Sequence, residues 1–209
     1  MISGAFEVHL TVASGQDGDQ EKFTEVCKKI GVKPVYILLP HGQNPKQLMT
    51  SSYVTGTRDE AIEEAKKLVK LLHADGWIVK RFKIEALASN KGVPETDEEH
   101  RELKAKGEGI YFEFHYKCKC KNEADKLKLT EVGKKYNAHT SRSAFKKNCE
   151  DGSFINFLTL REYDMGKINA MKKFELLLAD LKEAGFEVTG FEREYAVYDD
   201  NVELDAGWL

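Results

Sequence analysis

The sequence predicts an α+β protein made of two tandem ferredoxin-like (βαββαβ) repeats with antiparallel sheets. Two observations carry this expectation. The chain repeats itself in sequence, and each copy shows the same order of period-2 and period-3.6 segments. Phe6-Glu7-Val8-His9 matches Phe112-Glu113-Phe114-His115 at an offset of 106. The same offset aligns Thr24-Glu25-Val26-Cys27-Lys28-Lys29 with Thr130-Glu131-Val132-Gly133-Lys134-Lys135. Further along the offset becomes 109: Thr50 meets Thr159, Ala61 meets Ala170, Leu68 meets Leu177, Gly76 meets Gly185 and Glu85 meets Glu194. An ordered series with a single shift points to duplication, with three extra residues in a loop of the second copy.

The first copy opens with a strand over 5–13, where Phe6, Val8, Leu10 and Val12 alternate with Glu7, His9 and Thr11. A helix over 19–30 follows, with Phe23, Val26, Cys27 and Ile30 on one stripe. Strands over 34–40 and 47–55 come next. A longer helix over 58–74 starts at a Thr57/Glu60 capping box, and Gly76 lies just past its end. A strand over 77–87 closes the copy. The second copy reads strand 110–119, helix 123–136, strands 138–146 and 153–163, helix 167–183 and strand 186–198. The expected domains are therefore a first repeat over 1–87, a charged linker over 88–109, and a second repeat over 110–209 ending in an acidic tail. The linker is expected to carry a solvent-facing helix with a solvated His100.

Such a unit has helices on one face of its sheet and leaves the other face open. Two open faces are buried economically if the sheets face each other or lie side by side about a pseudo-two-fold axis. Two independent modules with wet faces are the alternative.

Composition narrows the function classes. With a hydrophobic set of 41% against 32% charged residues, the chain has material for a core. Its net charge of -3 argues against a dedicated nucleic-acid binder. Glu7, His9, Glu113 and His115 stand where an RNA-binding sheet presents aromatics, so sequence-specific RNA recognition is not expected. No apolar run is long enough to span a membrane and no signal peptide is read, which predicts a cytoplasmic setting. Cys27, Cys118, Cys120 and Cys149 form no C-x-x-C and are expected as reduced thiols.

The pleat nominates the site. If Phe6, Val8 and Leu10 pack on the helices, Glu7, His9 and Thr11 point to the open face. In the second copy Glu113, His115 and Lys117 do so. The third strands are expected to add Thr50 and Ser52 in one copy and Thr159 and Arg161 in the other. The fourth strands add Arg81, Lys83 and Glu85, matched by Glu192 and Glu194. Each half should thus hold a Glu–His pair with a second carboxylate and a hydroxyl nearby. A polar cleft containing both histidines, paired side chains on a wet surface, and a buried structural network are all consistent with this pattern.

Val8-His9-Leu10-Thr11-Val12 resembles the H-x-T/S element of the two-histidine (2H) phosphoesterase superfamily, whose two pseudo-symmetric lobes each place one such element on a shared cleft. The resemblance implies metal-independent hydrolysis of phosphodiesters or cyclic phosphates, with His9 and His115 as acid and base and Thr11 binding phosphate. Lys117 stands where the second hydroxyl belongs, a departure from the pattern. The reading is thus a cleft for a small phosphorylated or anionic ligand, with Thr11, Lys117, Glu7, Glu113, Glu85, Glu194 and Arg161 as ligand-binding residues and no metal or cofactor. A non-catalytic binding or interaction module with a polar interface between its sheets is the alternative.

Other features fit bland roles. Arg142, Arg161 and Lys146 are candidates for one anion-binding side. His9, Glu7 and Glu85, or His115, Glu113 and Glu194, have donor types that suit a divalent ion, although no spacing demands one. His41 sits in a turn-rich loop and His73 near a helix end.

Overall fold

Alternation along β1 (Ser3–Val12) sends Phe6, Val8 and Leu10, all fully buried, toward the helices. Glu7, His9 and Thr11 face the other way. In the computed structural model, which describes residues 1–15, 18–145 and 149–208, this two-faced pattern recurs around the molecule. Lys146 lies outside the described residues. The first repeat continues through α1 (Asp19–Ile30), β2 (Lys33–Leu38), β3 (Lys46–Thr57), α2 (Arg58–Ala74) and β4 (Val79–Leu87). After α3 (Asp97–Ala105), the second runs through β5 (Tyr111–Cys120), α4 (Glu123–Lys134), β6 (His139–Ser143), β7 (Phe154–Glu162), α5 (Lys167–Glu183) and β8 (Glu187–Asp199).

Local chemistry sets the helix ends. α2 begins at the full Thr57/Glu60 capping box, and α1 ends at Gly31, whose φ of 75° is the left-handed conformation glycine favours. The same capping pattern, Thr96 with Glu99, starts α3.

Within each repeat the strands lie in ferredoxin-like order, leaving β2 and β4, or β6 and β8, as edges. β4 pairs antiparallel with β8, and β2 with β6, so the eight strands close into one barrel ordered β1-β3-β2-β6-β7-β5-β8-β4. Closure removes the unpaired edges that two separate sheets would expose. The two sheets therefore lie side by side, and their open faces together form one lumen. Two independent modules with wet faces do not occur.

The core lies outside the barrel wall, under the helices. Phe6, Phe23 and Leu72 are buried in the first repeat and Phe112, Phe114, Phe174 and Leu181 in the second. Each such side chain contributes about 1.5–3 kcal/mol on leaving water. Cys118 and Cys120 are in this layer, where burial pushes the Cys118 thiol up to about 12.

Three expectations need correction. His100 is fully buried, not solvated: its Nδ1 is 3.0 Å from Tyr195 Oη and its Nε2 is 2.7 Å from the Tyr163 carbonyl. These contacts tie α3 to β8 and to the segment after β7. Thr50 and Ser52 do not face the lumen. Val8 pairs with Ser52 and Thr11 with Met49, so Gln47, Met49, Ser51 and Tyr53 point inward, while Thr50 Oγ1 accepts the Leu10 amide. His115 does pair with Thr159, which makes Ser51 the counterpart of Thr159 and sets the offset there at 108. The last of the extra residues falls between β7 and α5. Finally, Arg142 is exposed on the outer side of β6, apart from Arg161, so the two do not form one anion-binding side.

Candidate functional site

The lumen is a cavity of about 430 Å³. Of the residues nominated from the sequence, Glu7, His9, Thr11, Glu85, Glu113, His115, Lys117, Arg161 and Glu194 line it, whereas Thr50 and Ser52 do not. Its two ends differ. Around the end where β1 finishes and β5 starts, a turn of 3-10 helix over Val202–Asp205 and the buried Trp208 form a floor. Asp205 lies 2.8 Å from both Arg81 Nη1 and Arg161 Nη2 and accepts from Gln47 Nε2 at 2.9 Å. Arg81 also pairs with Asp199. Trp208 Nε1 donates to the Thr140 carbonyl, and the His41 loop grips the same segment through His41 Nδ1 and the Gly207 carbonyl, 2.7 Å apart. The turn-rich His41 loop thus anchors the tail. The opposite end is the mouth, where Tyr53 is 66% exposed and Lys117 and Glu192 form a half-exposed pair.

Between floor and mouth the two repeats juxtapose their Glu–His pairs. His9 Nε2 lies 3.4 Å from Glu7 Oε1 and 3.6 Å from Glu85 Oε2, while His9 Nδ1 is 3.0 Å from the Thr50 carbonyl. His115 Nε2 lies 3.0 Å from Glu113 Oε1 and 3.8 Å from Glu194 Oε2, with Nδ1 at 2.9 Å from Thr159 Oγ1. Glu7 accepts from Ser51 Oγ at 2.6 Å and from Tyr53 Oη at 2.7 Å. Lys83 sits below, 2.7 Å from Glu85 and 3.0 Å from Glu113.

The environments split these carboxylates. Burial pushes Glu113 up, but Arg161 and Lys83 overcome it and hold the carboxyl well below its ordinary range. Burial also raises Glu7, yet His9, Ser51 and Tyr53 bring it below the usual value. Glu194 has no comparable compensation: burial, with the carboxylates of Glu85 and Glu7 nearby, holds it well above. Burial would lower His115, but Glu113 beside it raises the imidazole instead.

Opposite this acidic wall of β1, β4, β8 and β5 stands a wall of another kind. Val35 and Ile37 from β2, Met49 from β3, Phe157 from β7 and Phe145 present half-buried apolar side chains to the same cavity.

Among the described residues no group of three or more His, Cys, Asp or Glu side chains is arranged to hold a metal ion. Lys83 and Arg161 occupy the gaps between the carboxylates. No helix of the described residues is long and apolar enough to cross a membrane.

No family model matches the sequence, and no curated protein matches it. Among solved structures the chain is similar to the regulatory subunit of aspartate kinase from Thermus thermophilus in its ligand-free form. Identity is 13%, coverage is 88% of this chain and 94% of that one, and the TM-score is 0.34. It is also similar to the small subunit of acetolactate synthase from Thermotoga maritima, at 13% identity, 93% and 95% coverage and a TM-score of 0.32. Likenesses this slight carry no functional argument.

The resemblance to two-histidine phosphoesterases does not hold. The local chemistry of the lumen disagrees with it. A phosphate between His9 and His115 would lie against Glu7, Glu85, Glu113 and Glu194. The lysine at the second hydroxyl position is engaged by Glu192. Arg161, expected to bind an anion, is already committed to Glu113 and Asp205 and is covered by the Tyr111 and Trp208 rings.

Asp199, Asp205, Tyr53, Phe157 and Trp208 were not nominated from the sequence. The tail residues had one signal: a lone tryptophan after an acidic run, with two arginines on inward-facing strand positions to receive it.

Proposed function

We propose that this chain is a non-catalytic ligand-binding module that takes a small molecule into its barrel lumen. One observation carries the reading: the barrel keeps a cavity of about 430 Å³, sealed at one end by its own C-terminal segment and open at the other. Eight-stranded barrels are just wide enough for side chains to fill, so a fold needing only stability would close this space. The volume falls within the range of small-molecule pockets, about 300–1,000 Å³. The buried polar groups around it are costly unless satisfied, and a ligand that pairs with them offsets that cost. Glu7, His9, Glu85, Glu113, His115 and Glu194 are the proposed ligand contacts, with Thr11 toward the floor; Arg161 and Lys117, each engaged by its own carboxylate partners, border the cavity at the floor and the mouth.

Thermal-shift screening against a panel of small molecules tests this, with a Ser143→Trp variant run alongside. Ser143 faces the lumen, so an indole there fills the cavity. Compounds that raise the wild-type melting temperature should leave the folded variant unmoved. If both proteins respond alike to every compound, binding lies elsewhere and the reading fails.

A further inference from the structure

The lumen has two chemically distinct walls, and their pairing specifies a class of ligand. The permanent cations buried in the lumen are all engaged. Lys83 bridges Glu85 and Glu113, Arg81 is held by Asp199 and Asp205, and Arg161 by Glu113 and Asp205. What these ion pairs leave facing the cavity is carboxylate. Glu7 is met by hydroxyls and His9, and the ion-pair partner of Glu194 among the described residues is His115 alone. The facing wall of Val35, Ile37, Met49 and Phe157 is apolar, and its one lysine, Lys33, stands exposed at the first position of β2.

We propose that the lumen receives an amphipathic organic cation, its amine head against Glu7, Glu85 and Glu194 and its apolar body against Val35, Ile37, Met49 and Phe157. This rests on the lumen-binding reading above and names the ligand class for that site. An ammonium can donate to several carboxylate oxygens at once, and charge-assisted hydrogen bonds in a dry site are the strong ones. The apolar body gains by leaving water. A neutral ligand forgoes the first contribution, and an anion meets repulsion at every acidic position.

Proton traffic follows. Glu194 faces Glu85 and Lys83 from β4, Glu113 and His115 from β5, Glu7 and His9 from β1, Tyr53 from β3 and Glu192 on its own strand. Burial and those carboxylates favour its protonated form, so an arriving ammonium displaces that proton to solution and binding tightens as pH rises.

Isothermal titration with phenylbutylamine, phenylbutanol and phenylbutyrate tests the proposal, since the three share one apolar body and differ in head charge. The amine should bind at least about tenfold tighter than the alcohol, with the acid weakest. Glu194→Gln should cost the amine about tenfold and leave the alcohol unchanged. Proton release on amine binding, read from the dependence of the heat on buffer ionisation enthalpy, should vanish in that variant. Alcohol or acid binding as tightly as the amine overturns the cation class and leaves lumen binding standing. If none of the three binds and the thermal-shift panel is also silent, both readings fall. An amine preference that survives Glu194→Gln unchanged also overturns the proposal, because the charge is then read elsewhere.

Discussion

Arg161 Nη2 lies 2.8 Å from Asp205 Oδ2, joining an inward-facing residue of β7 to a turn near the C-terminus. Arg81 reaches the same oxygen at 2.8 Å from the other repeat, so one carboxylate ties both halves of the barrel to its floor. Burial raises Asp205, but the two guanidiniums hold it below the ordinary carboxylate value. Breaking a buried pair leaves uncompensated charge, at a cost of about 3–5 kcal/mol. Asp205→Ala should lower stability by about that amount in urea unfolding, and Trp208 fluorescence should shift red as the tail lifts from the floor. An unchanged midpoint with an unshifted spectrum would show that Trp208 alone holds the tail.

The pH dependence of stability should carry the mark of Glu194. Its folded value lies well above the ordinary carboxyl value of 4.5, so between the two the folded state holds a proton that the unfolded state has released. Stability therefore falls as pH rises through that window. His115, raised above 6.5, adds in the same direction: its contribution is full below 6.5 and is lost as pH rises through its folded value. Glu113 acts oppositely: its depressed value contributes stability that is full above about 4.5 and is lost as pH falls through its folded value. Glu194→Gln should thus be more stable than wild type at neutral and alkaline pH, with the gain fading below about 4.5. Chemical denaturation across pH measures this, and a gain independent of pH would place its origin in packing.

Most of the fold was legible because duplication doubled every signal. β1 and β5 alternate cleanly, and both capping residues and terminal glycines fall where the helices end. The lumen-facing set Glu7, His9, Glu85, Glu113, His115 and Glu194 follows directly from that period-2 pattern. β3 was misregistered because Leu48 and Met49 are consecutive apolar residues, and alternation alone does not say which of them faces the helices. Closure into one barrel depends on edge pairing between β4 and β8 and between β2 and β6, contacts far apart in sequence that periodicity cannot register. His100 was misread for a related reason: its neighbours in sequence are charged, whereas its partners Tyr163 and Tyr195 come from the second repeat.

That buried histidine makes its own prediction. His100→Ala strands the Tyr195 hydroxyl and leaves the Tyr163 carbonyl only Lys104 Nζ at 3.3 Å, and an unsatisfied buried polar group costs about 1–3 kcal/mol. The loss should concentrate in α3, which packs outside the barrel wall. Hydrogen exchange should show faster opening across Asp97–Ala105 with the lumen strands unchanged. Uniform acceleration across all eight strands would instead make α3 part of the barrel's cooperative unit.

Lys117 separates a stabilising role from a ligand-gating one. Its pair with Glu192 is partly exposed at the mouth, and pairs of that kind contribute about 0–1 kcal/mol. Lys117→Thr should therefore leave the unfolding midpoint nearly unchanged. It also removes a positive charge from the path an ammonium must take and frees Glu192 to face that path. Phenylbutylamine should then bind about threefold tighter at low ionic strength, and the gain should shrink in high salt because the interaction acts through screened solvent. Phenylbutanol should bind the two proteins equally. A weaker amine complex in the variant would mean that Lys117 contacts the ligand itself, as a lysine can do only with an acceptor, and the cation class would be the wrong one.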